Sequence, residues 1–117
     1  MGHVSFLLYQ EGTDLRGVFT AAVEADRRQH GVDETTGSIG QKSRVYLIEH
    51  TLRPREDAER RARELIDALG EEMLGNHPAG QLSAMVGDGY SDSCGALRVA
   101  DHRGLPTAFV FFGFRNE

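Results

Sequence analysis

Residues 30 to 43, His-Gly-Val-Asp-Glu-Thr-Thr-Gly-Ser-Ile-Gly-Gln-Lys-Ser, concentrate groups that can hold an anion. Gly37 and Gly40 let the backbone turn where a side chain would clash, and they leave its N–H groups open. Successive open N–H groups make a concave anion site. Thr35, Thr36, Ser38 and Ser43 add hydroxyls, and Lys42 is the only lysine in the chain. This set suits a phosphate. The bland alternative is an ordinary surface loop, although long loops without secondary structure are usually functional or disordered.

The segment is not a P-loop, which needs four residues between its glycines and a helix after them. Here Ser38 and Ile39 alone separate the glycines, and an apolar strand-like run follows. Gly37-Ser38-Ile39-Gly40 has the form of the glycine loop of KH domains, but its flanks do not fit that fold.

Other chemistry is thinner. Cys94 lies beside Gly95 in a Ser/Asp/Gly stretch, with no local base to lower its pKa. The histidines lack metal-ligand spacing, and Asp88 and Asp92 lack calcium-loop spacing. Tyr90 is a candidate to stack on a base while arginines hold phosphates. Its plain alternative is a tyrosine packed under its own loop. Arg28, just before the glycine segment, and Arg115, near the C-terminus, are the candidate arginines. No carboxylate pair, triad or cofactor fingerprint stands out. The expectation is a binding module with no catalytic residue, no metal and no cofactor.

These groups need elements to position them. Val4, Phe6 and Leu8 alternate with Leu7 and Tyr9, which reads as a strand over 4–9 with two apolar faces. Thr13 or Asp14 caps a helix to about His30, with Leu15, Val18, Phe19, Ala22 and Val23 on its core face. Gly17 weakens that helix or lets it pack closely. A second strand covers 44–50, with Val45 and Leu47 on one face and Tyr46 and Ile48 on the other. Pro54 opens a second helix that keeps phase through Ala58, Ala62, Leu65, Ile66, Leu69 and Met73. Its mixed arginines and glutamates read as a solvated face. Residues 82–86 read as a short strand, and 96–100 with 107–115 as a hairpin across Asp101–Gly104.

The expected fold is a single α+β domain over residues 1–117, in the order β-α-β-α-β-β-β. It is a two-layer sandwich with a mixed five-stranded sheet and both helices on one face. That leaves Leu7, Tyr9, Tyr46, Ile48, Phe109 and Phe111 as an uncovered apolar face, which predicts a homodimer or higher oligomer. The net charge of −5 weighs against extended nucleic acid. No apolar run spans a membrane, the N-terminus does not read as a signal peptide, and one cysteine suits a reducing cytoplasm.

Ala21-Ala-Val-Glu-Ala-Asp26, followed by His30-Gly-x-Asp33 and Thr36-Gly-Ser-Ile39, resembles a pattern in short bacteriophage proteins of mostly unassigned role. Small size, acidic charge and an expected oligomer are similar to phage antagonists of bacterial immunity. One such class, the Thoeris anti-defence sponges, holds cyclic ADP-ribose isomers or cyclic oligonucleotides without degrading them. The resemblance implies a protein of the bacterial host cytoplasm that sequesters a small nucleotide-derived signal. It carries over no binding residue. Read from the residues themselves, the ligand site is Arg28, Gly37, Ser38, Gly40, Lys42, Ser43, Tyr90 and Arg115. On that reading Lys42→Ala and Arg115→Ala weaken binding without unfolding the chain. The rivals are a protein–protein inhibitor of a host defence complex, of anti-restriction or anti-CRISPR kind, and a small enzyme using Cys94.

Overall fold

Side-chain alternation decides which face of a sheet each residue serves. A computed structural model of the chain shows the outcome over residues 3–30, 39, 42–73 and 93–116. The elements are β1 (His3–Glu11), α1 (Leu15–His30), β2 (Arg44–Arg53), α2 (Arg55–Met73), β3 (Ser93–Ala100) and β4 (Pro106–Asn116). The strands form one mixed sheet in the order β1-β4-β3-β2. β2 pairs parallel with β3, and β4 pairs antiparallel with β1 and β3. Three strands therefore point one way and β4 the other. The α+β class, the mixed sheet and the two helices agree with the sequence. The described sheet has four strands, not five; the expected strand at 82–86 lies outside the described residues.

The placement of the helices corrects the two-layer expectation. α1 packs Val18, Phe19, Ala22 and Val23 with Phe6, Cys94, Ala96, Phe109 and Phe111. α2 packs Ala58, Ala62, Leu65 and Leu69 with the alternate strand residues, including Leu97, Val99, Val110 and Phe112. The helices thus cover opposite faces, giving three layers. The physical reason is crossover handedness. β1 to β2 crosses the whole sheet in one direction, and β2 to β3 returns one strand in the other. Parallel crossovers are nearly always right-handed. Connections of one hand that travel in opposite directions must lie on opposite faces.

The apolar face that motivated an oligomer is therefore not a single open face. Leu7, Tyr9 and Ile48 pack under α2. Phe109 and Phe111 lie on the other side, where the rings of Phe19 and Phe111 are 5.9 Å apart and tilted. Tyr46 alone of the six is exposed, at 37%.

Glycines mark the close approaches. Gly17 follows Asp14, whose carbonyl accepts the first helical bond from Val18 N–H and whose Oδ2 accepts from Gly17 N–H at 3.0 Å. A Cβ on Gly17 would sit 2.6 Å from that carboxylate, so the glycine makes room for the cap. Gly95 sits inside β3, where a Cβ would come within 2.6 Å of the Phe112 ring. The ring lies over the gap that a side chain would fill. Sequence reading starts this strand at Ala96, because glycine is a poor strand former; the strand starts at Ser93.

The β3–β4 hairpin forms where expected. Gly104 has φ +82° and donates to the Asp101 carbonyl, while Asp101 Oδ1 accepts from the N–H groups of Arg103 and Leu105. Those two bonds hold the Asp101 carboxyl below its ordinary pKa.

Candidate functional site

The topology brings the described candidate residues to one end of the sheet. α1 returns the chain from the carboxyl end of β1 to the amino end of the parallel strand β2. Arg28, exposed in the last part of α1, and Ser43, exposed just before β2, therefore lie at that amino end. β4 runs the opposite way, so its last residues arrive there too. Val4 pairs with Arg115, and Ser5 with Phe114. Arg44 pairs with Ser93, and Gly95 with Phe112. Tyr46, Gly95 and Phe112 therefore share one row, and Ser43 and Arg115 each lie three residues beyond it toward the same end.

Lys42 departs from the sequence reading. A phosphate-binding lysine would present its ammonium to solvent, yet this side chain is 0% exposed. Its backbone N–H closes a turn onto the Ile39 carbonyl at 2.9 Å, and Ile39 is itself in the core beneath α1. The charge of Lys42 acts on Cys94, another wholly buried residue. Burial raises the Cys94 thiol to about 12, and the neighbouring lysine offsets only part of that rise. The chain's only lysine and its only cysteine thus both lie in the interior, near enough for the lysine's charge to act on the thiol. Replacing Lys42 touches the core, so Lys42→Ala is expected to cost stability as well as binding.

A thiol at that pKa is almost entirely protonated at neutral pH, so Cys94 is a poor nucleophile. Iodoacetamide should leave Cys94 unmodified in the folded protein at pH 8 and label it promptly in urea. Rapid labelling of the folded chain, read by intact mass, would contradict this burial.

A second polar constellation occupies the other end of β2, and sequence reading missed it. The β2–β3 register shifts on both sides of Glu49. Leu47 pairs with Ala96 on the α1 face, whereas Glu49 pairs with Leu97 on the α2 face. Strict alternation would leave Glu49 on the face of Leu47. The irregularity re-aims it, a common use of bulges. Arg61 of α2 then donates Nε and Nη2 to Glu49 Oε2 at 3.0 and 2.7 Å. Arg53 Nη1 meets Glu49 Oε1 at 2.7 Å. The Arg61 bonds, helped by Arg53 and opposed by burial, hold the Glu49 carboxyl below its ordinary value of 4.5. The spacing of Asp57, Arg60, Arg61 and Glu64 is visible in the sequence, but the parity break at Glu49 is not.

A carboxyl whose folded pKa is depressed adds stability above its unfolded pKa and loses it as pH falls through the folded value. Stability should therefore drop more steeply below about pH 4.5 in the wild type than in Glu49→Gln. Urea midpoints over a pH series read the difference. Parallel curves would mean that Glu49 titrates alike in the folded and unfolded chain.

Of the expected ligand residues, Arg28, Lys42, Ser43 and the backbone of Arg115 come to the amino end. Gly37, Ser38, Gly40 and Tyr90 lie outside the described residues. Among the described residues, no three His, Cys, Asp or Glu side chains gather to hold a metal, and no helix is long and apolar enough to cross a membrane. The chain matches no family model, and no curated protein or solved structure proved significantly similar to it.

Proposed function

We propose that this protein binds and sequesters a small nucleotide-derived signal, a cyclic ADP-ribose isomer or a cyclic oligonucleotide, without altering it. Its setting would be phage counter-defence in the bacterial cytoplasm. The supporting observation is that Arg28, Ser43 and the backbone of Arg115 come to the amino end of the sheet, with Lys42 buried next to Ser43 in the chain. Cations in that arrangement favour phosphate through charge-assisted bonds. Lys42 acts from below as a fixed positive charge. In this reading Gly37, Ser38 and Gly40 supply backbone N–H groups and Tyr90 stacks on the base. The buried, protonated thiol of Cys94 favours holding a ligand over attacking it. With α2 seated on one apolar face and α1 on the other, the reading needs no second copy to complete the core.

Arg115→Ala tests the reading. One lost charge-assisted bond of about 1.5–3 kcal/mol weakens binding roughly 10- to 100-fold. Calorimetric titration with cyclic ADP-ribose isomers and cyclic dinucleotides measures it. Wild-type binding with unchanged affinity in Arg115→Ala would remove this end of the sheet from the site.

A further inference from the structure

The charged constellation around Glu49 borders an open pocket of about 420 Å³ lined by Arg53, Asp57, Arg60, Arg61 and Glu64. It lies at the carboxyl end of β2, along the first half of α2. Its ion pairs are of two kinds. Glu49 sits between two guanidinium groups, and its Oε1 is shut from solvent, as is Arg53 Nη1. With Glu49, the lining carries three arginines and three carboxylates, so positive charge is exposed only when the two outer carboxylates, Asp57 and Glu64, swing away. The outer pairs are single and open. Glu64, 57% exposed, reaches Arg61 Nη1 at 3.2 Å. Arg60, 65% exposed, meets Asp57 at 3.0 Å.

Exposed ion pairs contribute little, whereas a fixed guanidinium fork binds oxyanions well. We infer that this pocket is an oxyanion site for phosphate or a phosphate monoester, gated by Glu64. The anion displaces Glu64 from Arg61 Nη1 and Asp57 from Arg60. Glu49 stays in place and holds Arg61 in position through its Nε/Nη2 edge. Glu64 is then an internal competitor that sets how much anion the pocket needs.

The test is a titration of the ¹⁵N-labelled full chain with inorganic phosphate, followed by amide and arginine Nε shifts. Saturable shifts are expected at residues 53, 60 and 61. Glu64→Gln should tighten binding up to about fivefold, the value of one exposed pair. Arg60→Ala should weaken it at least about tenfold. Shifts confined to residues 42–44 would place phosphate at the opposite end of the sheet and overturn the inference. So would an absence of saturation in Glu64→Gln, or equal affinity in wild type and Arg60→Ala. None of these outcomes depends on nucleotide binding at the amino end, so the two sites stand or fall separately.

Discussion

Phe112→Ala should cost about 3–5 kcal/mol, a large part of the roughly 5–15 kcal/mol that holds a small domain together. Phe112 is wholly buried on β4, an interior strand with β1 on one side and β3 on the other. Its ring fills the space over Gly95, and Ile48 borders the same space. Both neighbouring strands are hydrogen-bonded to β4, and α2 caps the face. None of these can move in to refill the space, so the cavity persists. Leu105→Ala is the control, because Leu105 is 51% exposed at the hairpin and should change stability by less than about 0.5 kcal/mol. Urea unfolding of the two variants measures the contrast. Similar midpoints would mean that the α2 face is not the main core.

Lys42→Met should lower stability by about 1–3 kcal/mol although methionine fills similar space and suits an apolar site. A buried ammonium persists only where its charge and donors are met. Removing it strands the groups that meet it. The substitution also removes the charge that partly offsets burial at Cys94, so the thiol should titrate still higher. Unfolding midpoints and the pH dependence of thiol labelling in mild denaturant read the two effects. A Lys42→Met variant as stable as the wild type, with unchanged thiol chemistry, would take Lys42 out of the interior. In the proposed ligand site the same variant loses the positive field beneath the phosphate and binds more weakly.

Periodicity located every described element, because apolar spacing states which residues share a face. Val18, Phe19, Ala22 and Val23 form one helical stripe, and Ala58, Ala62, Leu65 and Leu69 form another. Spacing does not state which face of the sheet a stripe meets. That depends on strand order, and β1 and β2 at opposite edges reverse the direction of the second crossover. Parity within strands was also legible for Leu7 against Leu8, but not across the β2 irregularity that turns Glu49 toward Arg61. Lys42 was legible as the one lysine of the glycine-rich segment. Lys42 was misplaced because lysine composition predicts exposure, whereas its turn onto Ile39 carries it into the core.

A thermal-shift series tests the central claim most directly, with purified protein against cyclic ADP-ribose isomers, ADP-ribose, cyclic dinucleotides and cyclic trinucleotides. A ligand at about 100 times its Kd adds roughly 2.7 kcal/mol to the folded state and raises the Tm by several degrees. The account predicts such a rise with one chemical class, recovery of that ligand intact, and a clearly smaller shift in Arg115→Ala at the same ligand concentration. A shift accompanied by an altered ligand would make the protein an enzyme. No shift with any compound would contradict sequestration and leave an inhibitor of a host protein as the better reading.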